Sequence, residues 1–194
     1  MAEPSDQLEA ARLALARCEQ QGLTLADSIS DSQWISRPAN GSWSPAECFA
    51  HLNLTTSAML PLLQAGAQEA RTKQWTSRSS LHIGVLASML CWFLEPPYKM
   101  RITTQPAFAP SGVADRIDVL TAWKDKHQAI DMFIRNSAGL ALDRPIIVSP
   151  FDPRGRVRYS VYAALIILAA HERRHLWQAA RAAQSASCAH QRPF

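Results

Sequence analysis

Residues 161–175 read VYAALIILAAHERRH, an apolar run without glycine or proline that closes on two histidines. The run is too long and too evenly apolar for a strand, so it predicts a helix, expected over residues 160–184. His171 and His175 are four residues apart and so share one face, a turn from each other. Imidazoles placed this way can both reach one divalent ion, at metal–nitrogen distances of roughly 2.0–2.1 Å for zinc.

The same stretch fits H-E-x-x-H, the zinc-protease signature. The extended form of that motif wants glycine at position 178 and histidine at 181, where this chain has Gln178 and Arg181. No Asp or Glu follows His175, and the one later histidine, His190, lies in a Ser/Ala/Gln-rich tail that reads as frayed. The protease reading therefore lacks its third ligand. The plain alternative is a pair of histidines at a helix surface that binds nothing.

The rest of the chain also reads as helix. Residues 4–27 carry Leu8, Leu13, Leu15, Leu23 and Leu25 among good helix formers, with Pro4 suited to a first turn. A break follows at Arg37-Pro38-Ala39-Asn40-Gly41. Ser44-Pro45-Ala46-Glu47 then announces a helix start, with Ser44 as N-cap, Pro45 in the first turn and Glu47 closing a capping box. That helix is expected over 45–72, a shorter one over 78–94, and an amphipathic one over 111–137, where Leu120, Trp123, Ile130 and Ile134 recur at helical spacing.

Two connections exceed what helix hairpins need. Residues 95–110 are punctuated by proline. Residues 143–159 contain the turn Pro150-Phe151-Asp152-Pro153-Arg154-Gly155, which Ile146-Ile147-Val148 and Val157-Arg158-Tyr159 flank as a candidate short hairpin. Long loops on a helical scaffold usually cover a site.

With the helices placed, His51 becomes the candidate third ligand. It lies two turns into the capped helix, on a face of small or apolar residues that includes Cys48, Thr55, Ala58 and Leu62. A histidine on such a face is commonly a core residue, but His51 with His171 and His175 would make a three-histidine set. Three protein ligands and one open position is the catalytic pattern of zinc sites. Bundle cores build metal sites from facing helices in this way.

Trp43-Ser44-Pro45-Ala46-Glu47 leading to His51-Leu52-Asn53, together with His171-Glu172-Arg173-Arg174-His175-Leu176-Trp177-Gln178, resembles the DinB/YfiT-like superfamily in its DinB_2-type branch. The resemblance runs from about Arg37 to Arg181. It implies an all-α fold, a four-helix bundle with long crossover loops, often dimeric, and a metal held by His51, His171 and His175. It also implies a metal-dependent enzyme, either an S-transferase using a low-molecular-weight thiol or a hydrolase. A non-catalytic, metal-stabilised stress-response or binding module is the alternative. Zinc is the default ion for three imidazoles, with nickel, iron or manganese compatible.

Other side chains carry weaker expectations. Glu172 and His127 are the candidate catalytic groups. Glu172 points about 100° from the ligand face and reads more simply as a surface carboxylate paired with arginine. His127, beside Trp123 and Ile130, reads more simply as a core histidine. Cys48 could line a pocket near His51. Tyr98, Arg158 and Tyr159 sit at loop edges that could face the metal, Trp43 would staple the helix start, and His82 and His190 are read as surface residues.

At 194 residues the chain is expected to be a single domain over 1–184 with a tail at 185–194. A net charge of +4, without a Lys/Arg block, does not indicate nucleic acid. Cys18, Cys48, Cys91 and Cys188 form no C-x-x-C pair. No signal peptide and no membrane span are seen. The expectation is a soluble, cytoplasmic protein acting on a small molecule.

Overall fold

A computed structural model describes residues 3–77, 79–97, 103–112 and 115–190, the last four of these by backbone alone. It is mostly helical: α1 spans Pro4–Ser28, α2 Asp31–Ile35, α3 Pro45–Thr72, α4 Val85–Leu94, α5 Arg116–Asn136 and α6 Val161–His190. A 3-10 turn occupies Pro106–Phe108. Strands β1 (Ile146–Val148) and β2 (Arg158–Ser160) pair antiparallel, with Ile147 opposite Tyr159. The hairpin thus forms one residue later on its second side than the sequence suggests.

The capping box forms as read. Ser44 Oγ accepts from Glu47 N at 3.3 Å, and Glu47 Oε2 accepts from Ser44 N at 2.9 Å. Arg37 also grips the Glu47 carboxylate through Nε at 2.8 Å, tying the preceding break to the helix start. These contacts fix where α3 begins and therefore how high His51 stands on it.

Three helix boundaries differ from expectation by more than one residue, each for a physical reason. α4 begins at Val85 rather than 78 because the peptide groups ahead of it are engaged elsewhere. Ser77 N donates to Gly139 O, Leu81 N and O bond the Gln7 side chain, and His82 N donates to Asp143. Backbone groups bonded across the fold cannot also form a helical ladder. α5 begins at Arg116 rather than 111, where Asp115 accepts from Ile117 N at 2.7 Å as its N-cap. α6 runs on to His190 instead of stopping near 184, since nothing in its Ala/Ser/Gln sequence breaks a helix. Residues 191–194 lie outside the described part.

α3 packs against α6 and α5, and α1 packs against the same two helices; α4 lies on α6. α3 and α6 approach very closely where Gly66 meets Val161. A Cβ on Gly66 would collide with Val161 Cγ2. The core has two parts. One gathers Leu63, Leu142, Val161, Leu165 and Ile130; the other packs Trp34, Phe49, Leu52 and Trp123. No helix among the described residues is long and apolar enough to cross a membrane.

Candidate metal centre

The fold brings His51, His171 and His175 together. One ring nitrogen from each lies within 4.8 Å of the other two. Their ring centroids are 5.2 Å apart for His51–His171, 4.5 Å for His51–His175 and 4.6 Å for His171–His175. α3 supplies the first ring and α6 the other two.

His51 is oriented by its neighbour. Its Nδ1 lies 2.7 Å from the Phe108 carbonyl oxygen, which can only accept, so Nδ1 carries the proton. Nε2 of His51 is then a bare lone pair, 3.2 Å from Nε2 of His171. Two nitrogens bound to one tetrahedral zinc at roughly 2.0–2.1 Å stand about 3.3 Å apart. Nδ1 of His175 is buried and makes no hydrogen bond of accepted geometry. The donor set and its spacing therefore fit a divalent ion. A backbone carbonyl on the far nitrogen is the usual device for fixing a ligating tautomer.

All three rings are held in the uncharged form a metal needs. Burial lowers the pKa of His51, against a smaller opposing pull from the Phe108 carbonyl. Burial, with help from His51 and Arg174, brings His171 to about 3. His175 is pushed well down by burial, His171, His51 and Arg174, with the Gln178 side chain opposing.

The cluster opens on a cavity of about 710 Å³. Both long loops wall it. Thr103, Thr104, Gln105 and Phe108 come from one; Ser149, Phe151, Asp152 and Tyr159 come from the other. α4 contributes Leu90, Phe93 and Leu94. Trp43 lies against two of the three rings, 4.8 Å from the His51 ring and stacked 5.8 Å from that of His175. Its place is thus on the cavity wall as well as before the helix.

Several expectations are corrected here. Glu172 is not a surface carboxylate. It is completely buried on the side of α6 away from the cavity, with Oε2 3.5 Å from Nε2 of His127. That distance is too long for a hydrogen bond, and neither group has another. Burial raises the Glu172 carboxyl well above its usual value and lowers His127 to about 4, so burial disfavours the charged form of each. His127 is a core histidine packed against Trp123 at 4.2 Å. Cys48 is fully buried in the core and does not line the cavity. Tyr159 does line it, donating to Ser149 Oγ at 3.1 Å, while Arg158 is exposed outside it. Tyr98 and the His190 side chain fall outside the described residues, and His82 is exposed.

Arg174 and Gln178 also line the cavity, and the sequence reading passed over both. The signal was available: they sit three and seven residues past His171, on the same helical face.

The titrations predict an acid-sensitive fold. A histidine whose folded pKa is depressed takes up its proton first in the unfolded chain. Stability is therefore full above the unfolded value near 6.5 and falls as pH drops toward the folded value. At pH 5 one such ring costs about 2 kcal/mol, from 1.36 kcal/mol per pH unit. Glu172 acts in the opposite sense, losing stability as pH rises above 4.5, but one carboxyl faces four lowered rings. The melting temperature of metal-free protein should drop steeply from pH 7 to 5. A flat profile would contradict the neutral, buried rings.

The sequence model of the DinB superfamily matches residues 14–179, a span that includes all three clustered histidines. No curated protein and no solved structure matches the chain.

Proposed function

The chain belongs to the DinB superfamily, and from that premise we propose that it is a divalent-metal protein of the three-histidine type. Its proposed task is to activate a low-molecular-weight thiol, or a water, for S-transfer to a small substrate or for its hydrolysis. The observation that carries this reading is the incomplete donor set. Three uncharged imidazoles converge at the wall of a cavity, and no fourth His, Cys, Asp or Glu joins them among the described residues. A metal site that leaves one position to water or substrate is the catalytic kind.

His51, His171 and His175 would hold the ion, with zinc the first expectation and nickel, iron or manganese compatible. When bound, it would lower the pKa of a thiol or water and so supply a nucleophile near neutral pH. The chain's own residues set the rest. The Phe108 carbonyl orients His51. Trp43 packs against two of the rings. Leu90, Phe93, Leu94, Ile167 and Leu168 give the cavity an apolar wall suited to a largely apolar electrophile. Glu172 and His127 lie away from that space, so we assign them no step.

In this reading α1, α3, α5 and α6 form the family's four-helix bundle, in a cytoplasmic homodimer. The rival is a non-catalytic module in which the ion ties α3 to α6, consistent with ligands drawn from those two helices. The test is to load untagged protein with zinc, nickel or manganese and follow conjugation of several biological thiols to an electrophile. Rate should vanish with His51→Ala and with chelator, while Glu172→Gln should have a smaller effect. No turnover with any thiol, any hydrolysable substrate and any metal would leave the metal-tied module as the better account.

A further inference from the structure

The two loops that wall the cavity are joined to each other, and each is joined to one histidine of the cluster. Phe151, in the loop between β1 and β2, is the meeting point. Its carbonyl oxygen accepts from the side-chain amide of Gln105 in the other loop. Its ring packs edge-on to that of Phe108 at 4.9 Å, and lies within 17° of parallel to that of His171 at 6.3 Å. Its own N–H donates to Ser149 Oγ at 3.3 Å, an oxygen that the Tyr159 hydroxyl also reaches. Asp152, the next residue, fixes the turn by accepting from the N–H groups of Arg154 at 3.0 Å and Val157 at 2.7 Å. Phe151 thus stands on a backbone that is pinned on both sides.

Gln105 carries this hold to the other helix. It immediately precedes the 3-10 turn Pro106–Phe108, and Phe108 N donates to Gln105 O at 2.9 Å. A turn this short and tight moves as a unit. Anchoring Gln105 at one end and the Phe108 ring at the other therefore fixes where the Phe108 carbonyl points, which is at His51 Nδ1, 2.7 Å away. His51 stands on α3 and His171 on α6. Phe151 serves both, the first through Gln105 and Phe108, the second by direct ring contact. Which imidazole nitrogen is left to bind a metal is set by the hydrogen bond that the other one makes.

We propose that Gln105 and Phe151 are positioning residues for the metal centre, a clasp that holds His51 in its ligating tautomer and His171 in its ligating orientation. The proposal rests on the metal reading above. Gln105, Phe108 and Phe151 also line the cavity. The arrangement that walls the substrate space is therefore the one that aligns the ligands.

The test uses full-length protein and two variants on separate loops, so that one that fails to fold leaves the other. Gln105→Leu keeps the bulk and removes the donor; Phe151→Leu removes the ring. Zinc affinity, read by competition with a coloured chelator, should fall about tenfold in each, the lower end of what losing an outer partner of a ligating histidine costs. Phe151→Tyr, which keeps the ring, should recover most of that loss. The second readout needs no metal. Nuclear magnetic resonance of isotope-labelled histidine should show His51 protonated at Nδ1 in native protein and a mixture of tautomers in both Leu variants. The ring signals absent from His51→Ala identify the residue, and melting curves check that each variant folds. A packing defect alone would leave the tautomer in place.

An unchanged His51 tautomer in the folded Leu variants overturns the clasp, and so does zinc held as tightly by them as by native protein. The metal reading fails differently. If native protein binds no divalent ion, that reading falls, while loss of the Nδ1–H form in Gln105→Leu still shows the clasp acting on His51.

Discussion

Protein carrying His171→Ala should emerge from dialysis without tightly held metal, whereas the native chain should retain a divalent ion. His171 reaches both of the others, with its Nε2 3.2 Å from that of His51 and its ring 4.6 Å from that of His175. Removing it leaves two imidazoles on different helices. Losing an outer partner of a ligand costs roughly 10–100-fold in affinity, so losing a ligand itself should exceed about 100-fold. Elemental analysis of untagged protein after dialysis measures it, and circular dichroism confirms that the helices remain. Equal metal content in native and variant protein would show that the cluster is not where the metal binds.

The second large effect is on stability. Phe49→Ala should cost about 3–5 kcal/mol, the range for deleting a buried aromatic side chain. Phe49 has no exposure and packs 5.2 Å from Trp34 and 5.3 Å from Trp123, ring centre to ring centre. α1 closes over it at Gly22, where an added Cβ would lie 3.2 Å from the ring. Nothing nearby can collapse into the hole without moving a tryptophan or a helix. A typical domain has only about 5–15 kcal/mol in total. Urea unfolding would read the loss directly, with Leu54→Ala, on the 40% exposed Leu54 of the same helix, as a control near zero. A Phe49→Ala midpoint matching native protein would mean that this part of the core is not packed as described.

How much could be read beforehand varied with how local the cause was. The start and length of α3 were legible because Ser44, Pro45 and Glu47 carry their capping chemistry within four residues. The meeting of His51 with His171 and His175 was legible because each sits on a helix whose face can be counted. The start of α4 was not, since it is set by partners far away, among them Gln7, Gly139 and Asp143. α2 was missed because five residues are too few to show a period. Glu172 was misplaced because the interior that receives it is built by residues distant in sequence, His127 and Cys18 among them. Arg174 and Gln178 were overlooked although the count from His171 would have found them.

The contact between Gly66 and Val161 bears on which ions the proposed site would take. It seats the Val161 side chain directly on the α3 backbone, and the three histidines stand on those same two helices. Should the cluster hold an ion as proposed, helices seated this closely would resist spreading to suit whichever ion arrives. Copper(II), favoured at nitrogen sites whose ligands can rearrange to a planar square, would then gain less here. Discrimination among metals would then be written in a missing methyl group at position 66, well along the helix from the histidines themselves.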